Sequence, residues 1–325
     1  MSYPLSGIKV LDLSRVLAGP FAGRMLSDLG ADVVKLEPPE GDVTRHWGAK
    51  RGDISGYYHQ QNAGKRNIAV DLRHPKGLLI VKSLVKQADV LIENFRPDVM
   101  ARLGIDYETL AEINPRLIML SISGFGADNP DSRRAAYAPI IHAETGLIAR
   151  QAALTGAFPT ELPLSVADTN AALHGLVGLL AALYAREQSG RGDHVEIAMV
   201  DATIVTNDVM HYALEGQSMG VTNEVHETAG GLLMLAGEFR YIWKLLSSVY
   251  HVSDGLDPAQ DVTLSDKIAA RRAASKAFFT KTCGDRDAVI LALDKMNIAW
   301  GDVRDASEVR QLASVKARGS IQTVD

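Results

Sequence analysis

"GIKVLDLSRVLAGPFAGRMLSDLGADVVKLE", residues 7–37, decides the fold. Its first run, "IKVLDLS", is aliphatic and β-branched without strict polar alternation, the pattern of a strand covered on both faces. "AGRMLSDLG" follows as a helix that Gly30 ends, and "ADVVKLE" returns to strand. Strand, helix and strand make a βαβ unit, and such a crossover implies a parallel pair. The alternation continues through "RNIAVDL" (66–72), helical "GLLIVKSLVKQ" (77–87), "ADVLIENF" (88–95), helical "TLAEI" (109–113) and "LIMLSISGFG" (117–126). The fold class is therefore α/β, a doubly wound, Rossmann-like parallel sheet in a large domain, joined to a smaller α+β domain. Ligands of such sheets sit beyond the carboxyl ends of the strands, which gathers residues 12–18, 37–42, 71–73 and 94–97 at one edge.

Further along, residues 127–160 read as loop, followed by a long helix after Asp168, a turn "EQSGRGDH", a strand "VEIAMVDA" and a helix over "IVTNDVMHYALEG". Residues 217–262 read mostly as loop with one helix near "YIWKLLSSVYHV". Two more helices are expected, over 265–281 with Ser265 as its cap and over 285–297. The large domain spans 1–200 and the smaller one 201–325.

Composition narrows the function. With 46% hydrophobic and 22% charged residues the 325-residue chain is an ordinary globular protein, and a net charge of -5 offers nucleic acid no broad basic field. Cys283 is the only cysteine, which excludes an intrachain disulfide and suits a reducing cytosol. No signal peptide opens the sequence, and the apolar run "ALHGLVGLLAALYA" falls short of a bilayer span, so a cytoplasmic protein away from membranes is expected. There is no phosphate-binding loop ending in Gly-Lys-Ser/Thr and no Gly-x-Ser-x-Gly elbow. No histidines fall at metal-ligand spacing, so no metal is expected.

Two features remain. Arg15, Lys35, Arg45, Lys65, Arg66, Arg73, Lys76, Arg96 and Arg102 cluster at strand ends and loops of the first lobe. They read either as solvated surface or, with "ENFRP" just after a strand, as a site for a phosphate-bearing ligand. Asp168 stands before an otherwise apolar run, "LPLSVADTNAALHGLVGLLAAL" (162–183), where an aspartate most often caps a helix.

Taken together, "GIKVLDLSRVLAGPFAGRMLSDLGADVVKLEPPEGDVTR", "NAGKRNIAVDL", "ADVLIENFRP", "INPRLIMLSISGFG" and "GLLAALYAREQSGRGDHVEIAMVDA" closely resemble the class III coenzyme A transferases, the CaiB/BaiF family that includes formyl-CoA transferase. The match runs in order from residue 5 to about 215 and weakly beyond. It implies an acyl-CoA:carboxylate CoA-transferase in which Asp168 is the nucleophile, passing through aspartyl anhydride and aspartyl-CoA intermediates. Coenzyme A would be a substrate, with no permanently bound cofactor. Val16, Ala18, Val70, Arg73, Asn94, Phe95, Arg96, Arg102 and Met199 match positions around coenzyme A, and Pro38 stands where formyl-CoA transferase has a basic residue. Tyr137 and His142 would lie near the substrate. Gly230 and Gly231 are the only candidates for the family's glycine-rich closing loop. The resemblance also implies an interlocked homodimer and a C-terminal return segment, short or missing here.

Two other readings compete. The α-methylacyl-CoA racemases share the fold but place a histidine at the position of Tyr137, followed by an aspartate where this chain has Ala138. A non-catalytic CoA-binding protein is the third reading.

Overall fold

Along residues 90–92 and 117–122, side chains alternate between two cores. Val90, Ile92, Ile118, Leu120 and Ile122 enter one, and Leu91, Leu117 and Met119 enter the other. Strands apolar on both faces belong inside a sheet sandwiched by helices. The computed structural model describes residues 3–216, 223–257, 259 and 261–321. It falls into two compact units, Met1–Gln217 and Ser218–Asp325, whereas a boundary after residue 200 would cut a helix.

The first unit runs β1 (Lys9–Asp12), α1 (Ala18–Asp28), β2 (Asp32–Glu37), the short hairpin β3 (Lys50–Arg51) and β4 (Ile54–Ser55), α2 (Gly56–Asn62), β5 (Arg66–Ala69) and α3 (Pro75–Val85). It continues with β6 (Val90–Glu93), α4 (Pro97–Leu103), α5 (Tyr107–Ile113), β7 (Ile118–Ser123), α6 (Ala138–Glu144), α7 (Leu147–Thr155), α8 (Val166–Ser189), β8 (His194–Ala198), α9 (Met199–Thr206) and α10 (Met210–Leu214). The sheet order is β5-β2-β1-β6-β7-β8, with every pair parallel. Starting at β1 the chain winds outward to β5, then returns to β6 and winds the other way. The loops after β1 and β6 therefore diverge and leave a crevice between them. On one face α1, α8 and α9 cover the sheet. Gly175 lets α8 lie close, since a Cβ there would come within 2.8 Å of Leu120. By length and composition α8 could cross a membrane, but Ala167, Ala171, Leu176 and Leu179 are buried in the core.

The second unit contains β9 (Asn223–Thr228), β10 (Gly231–Ala236), α11 (Phe239–Val249), α12 (Leu264–Ala277), α13 (Arg286–Lys295), β11 (Ala299–Asp302) and α14 (Ala313–Arg318). Its antiparallel sheet, ordered β11-β10-β9, packs Leu233 and Leu235 against Ile242, Leu246, Phe279 and Leu293.

Several sequence expectations are corrected. Residues 127–160 contain α6 and α7. Within 217–262, of which 217–222, 258 and 260 lie outside the described residues, a β-hairpin precedes α11. Its first strand, "NEVHET", is too polar to read as buried, and pairing with β10 supplies what its own pattern lacks. The cap of α12 is Thr263, whose hydroxyl accepts the Asp266 N–H, so Ser265 is already inside the helix. Asp168 is likewise no cap: α8 begins at Val166 after Ser165, and Asp168 is in its first turn.

Candidate active site

From the first turn of α8, Asp168 projects into the protein and is 9% exposed. Its carboxylate meets the backbone N–H groups of Ala18 and Ala138, which open α1 and α6, and its own N–H. Burial pushes its pKa up to about 6, against the pull of these donors. The chain reaches Ala18 through Val16, a β-branched residue with φ 68°. That conformation is strained for such a side chain. It is held because the Val16 N–H donates to Asp42 Oδ2 at 3.1 Å, and Asp42 is itself buried beside Lys35.

The diverging loops are clipped together. Asn94 Oδ1 accepts the Arg15 N–H at 2.7 Å, and Asn94 Nδ2 donates to the Arg15 carbonyl at 2.8 Å. Between these loops and α8 lies a cavity of about 420 Å3, on whose wall Asp168 sits with Val16, Ala18, Asn94, Phe95, Arg96, Tyr137 and Met199. A neighbouring cavity of about 280 Å3 holds Val70, Arg73 and Pro38 and shares Arg15 and Phe95 with the first. Thus most residues singled out from sequence converge on two adjoining hollows at the crevice.

Others do not. Arg102 lines neither cavity and pairs with Asp98, one turn back on α4, at 3.1 Å. His142 is 1% exposed and lies behind the cavity wall, because Ala138, Ile141 and His142 form the inward stripe of α6. Gly230 and Gly231 belong to the β9–β10 turn of the second unit, where the Gly230 N–H donates to Thr228 Oγ1 at 3.1 Å. They form a hairpin, not a glycine-rich loop.

The basic cluster divides sharply. Lys65 is locked to Asp12 at 2.7 Å, and Lys35 lies 3.4 Å from Asp42, all four side chains 0% exposed. Arg45 forks onto Glu37 at 2.7 and 2.8 Å, and Arg66 pairs with Asp32 at 2.6 Å. The two lysine pairs are internal ties of the fold, Arg45 reaches Glu37 from a partly exposed position, and Arg66–Asp32 is a surface pair. Arg73 is exposed and pairs with Asp71 at 2.9 Å. Arg15 and Arg96, both on the cavity wall, have no side-chain ion pair among the described residues.

Two groups escaped the sequence reading. Tyr57 is half-buried; burial first, then the charges of Asp168 and Asp42, push its phenol up to about 12, so it stays a neutral donor near Asp168. Its only sequence signal was a Tyr-Tyr pair following Ser55, which caps α2. Arg134, on the cavity wall, stacks its guanidinium over Phe125 at 4.5 Å and pairs with Asp131 and Glu144.

His142 supports the nucleophile-bearing turn from beneath. Burial lowers its pKa, with Glu161 opposing, so the neutral ring leaves Nε2 free to accept the Ala167 N–H at 3.2 Å. His142→Ala removes this acceptor and opens a hole under α8. The expected loss, measured by urea unfolding, is about 2–3 kcal/mol.

A buried carboxylate thus lies at the switch point of a Rossmann-ordered sheet, in a cavity whose wall also carries Arg15 and Arg96. The chain belongs to CoA-transferase family III, whose family model matches residues 5–325. It is 36% identical to the succinate–glutarate CoA-transferase of Agrobacterium fabrum, over 97% of this chain and 84% of that one. It is 44% identical to the acetyl-CoA:oxalate CoA-transferase of Acetobacter aceti, over 62% of this chain and 52% of that one, so it spans about half the length of this second relative. Among solved structures it resembles a CAIB/BAIF family protein from Brucella suis, with 33% identity, a TM-score of 0.80 and coverage of 98% and 89% of the two chains. The protein is a CoA-transferase, acting on CoA thioesters as substrates.

Proposed function

We propose that the protein moves coenzyme A from an acyl-CoA to a free carboxylic acid, with Asp168 as the covalent nucleophile. The observation that carries this reading is Asp168 itself, sunk in the wall of the 420 Å3 cavity with the N–H groups of Ala18 and Ala138 on its carboxylate. A carboxylate oxygen of Asp168 attacks the thioester carbonyl; the C–S bond breaks, leaving a mixed anhydride and coenzyme A thiolate. The thiolate attacks the aspartyl carbonyl, releasing the first acid as its carboxylate and forming aspartyl-CoA. The acceptor carboxylate attacks that thioester, again expelling thiolate, and the thiolate then attacks the acceptor's acyl carbonyl. Asp168 is returned as carboxylate, and no net proton or electron is consumed. Splitting the exchange this way replaces one difficult displacement by steps between thioesters and anhydrides. The N–H groups of Ala18 and Ala138 stabilise charge on the tetrahedral centres. Tyr57 adds a neutral donor near Asp168.

For coenzyme A, Arg15 and Arg96 supply uncommitted guanidinium groups for phosphate oxygens, a task their forked donors suit. Phe95 and Val70, with Arg73 at the mouth, suit the nucleotide end in the adjoining cavity. Val16, Ala18, Asn94 and Met199 would shape the pantetheine path, with Tyr137 beside the acyl group. Relatives named for succinate, glutarate and oxalate make dicarboxylic acids the first acceptors to try. We further read the enzyme as a cytoplasmic homodimer, the chains interlocked as the family resemblance implies.

The decisive experiment incubates the protein with a panel of acyl-CoA donors, adds hydroxylamine, and maps adducts by peptide mass. The expected product is a hydroxamate on Asp168. A protein that exchanges CoA between acids with no adduct there refutes the covalent route. Solvent deuterium entering the α-carbon of an acyl-CoA without an acceptor acid would point to racemisation instead.

A further inference from the structure

Glu93 ends β6 just before the loop that lines both cavities, and it is 5% exposed. Its Oε2 accepts the Phe95 N–H at 2.7 Å, and the Ser121 hydroxyl donates to it from β7. Ser121 Oγ lies 2.9 Å from His194 Nε2 on β8, and that imidazole stacks on Tyr107 of α5 with ring centroids 5.1 Å apart. With the proton of His194 on Nε2, the hydrogen bonds run one way, from His194 through Ser121 to Glu93. The carboxyl also faces a third cavity, of about 180 Å3. The titratable groups on its walls are Glu93, Asp106, Tyr107, Glu108, His194 and Glu196, with no lysine or arginine among them.

A carboxyl buried without a cation is unfavourable, and the chemistry of Asp168 makes no use of it. What Glu93 holds is a backbone amide of the pocket loop, next to the Asn94 side chain that clips Arg15. We propose that Glu93 is a positioning residue for coenzyme A: its carboxylate, set by Ser121 and His194, fixes the Phe95 amide and with it residues 94–96 against Arg15, so that affinity for coenzyme A follows the charge on Glu93. This rests on the reading that the 94–96 loop receives coenzyme A.

A charged acceptor holds an N–H more firmly than a neutral one. Burial pushes the Glu93 pKa up to about 7, with Ser121 and the Phe95 N–H pulling it down and the Glu196 charge adding to the rise. The loop is therefore held more tightly as pH rises through that value.

The test titrates wild-type protein, Glu93→Gln, Ser121→Ala and Asn94→Ala with coenzyme A by calorimetry between about pH 6 and about pH 8.5, a range spanning the Glu93 transition. Glu93→Gln keeps an oxygen acceptor but no charge. Its Kd is expected to match wild type at the acid end and to exceed it about five-fold at the alkaline end. Comparing the two proteins at each pH cancels the ionisation of coenzyme A's own phosphate. Ser121→Ala removes a donor that favours the carboxylate, so the tightening moves to higher pH. A Glu93→Gln to wild-type ratio that is constant with pH overturns the proposal. If Glu93→Gln does not fold, an unshifted Ser121→Ala profile overturns it equally. Asn94→Ala separates the two readings. If it weakens binding while Glu93→Gln does not, only the positioning role fails; if it leaves binding unchanged, the loop is not the coenzyme A site and both fail.

Discussion

Replacing Asp168 by asparagine is expected to abolish CoA transfer while making the protein more stable above neutral pH. Asparagine keeps the shape and an oxygen for the N–H groups of Ala18 and Ala138, but it cannot form an anhydride. The loss of turnover should be about 10^4-fold or more, as for other nucleophile removals. The gain in stability follows from burial, which raises the pKa of Asp168 from 3.8 to about 6 in the fold. A group so raised contributes its full stability below the unfolded value, and that contribution is lost as pH rises through the folded one. At about pH 8 the wild type must keep a carboxylate where the fold prefers the acid, a cost on the order of 2–3 kcal/mol that the variant escapes. Thermal or urea unfolding at about pH 8 and about pH 4 checks the sign: the variant should gain at the first and not at the second. The same titration governs catalysis. Only the ionised carboxylate attacks, so kcat/KM should fall about ten-fold per pH unit below about 6. A variant with residual turnover near wild type would remove Asp168 from the chemistry.

The sequence exposed the sheet more readily than the site, for reasons that lie in particular residues. Parallel strands such as β6 and β7 are apolar on both faces over "VLI" (90–92) and "IML" (118–120), so local pattern and tertiary environment agree there. The β9 strand fails that test because Asn223, Glu224, His226 and Glu227 are polar, and only pairing to β10 makes them a strand. In the site, Asp168, Asn94 and Phe95 were legible through motifs that run in order along the chain. The support beneath them was not. The acceptor role of His142 toward the Ala167 N–H depends on two helices meeting. Likewise, the proximity of Tyr57 to Asp168 spans more than a hundred residues of chain. Charge at strand ends was the most ambiguous signal. Nothing in the local sequence around Lys65 or Arg96 says that the first is tied to a buried aspartate and the second has no ion pair among the described residues.

That ambiguity yields the second large effect. Lys65→Met is expected to destabilise the fold by about 3–5 kcal/mol, since it strips the directly paired cation from a buried carboxylate and leaves only the charge of Lys35 acting on it. Lys65 Nζ donates to Asp12 Oδ2 at 2.7 Å, to the Pro20 carbonyl at 2.8 Å and to Asn62 Oδ1 at 2.9 Å. It thereby ties the end of β1, the first turn of α1 and the end of α2 together. Gly23 makes room for the pair, because a Cβ there would come within 2.8 Å of Asp12 Oδ2 and 3.2 Å of Lys65 Nζ. Burial opposes the charge on Asp12, but Lys65 and Lys35 together hold its carboxyl below the usual carboxylate range. Methionine fills the volume of the lysine stem, leaving the lost charge as the main change. Against a typical native stability of about 5–15 kcal/mol, the variant would sit near the edge of folding. Adding Asp12→Asn should recover much of the loss, since the stranded charge is gone while an oxygen remains for the Ser14 N–H that Asp12 Oδ1 now accepts at 3.0 Å. Urea titration of the single and double variants measures this recovery as a coupling energy. If Lys65 instead reached a phosphate of coenzyme A, Lys65→Met would fold as well as wild type and raise the KM for acyl-CoA. A stable variant with that kinetic defect would return Lys65 to the ligand side of the ledger and leave Asp12 needing another partner.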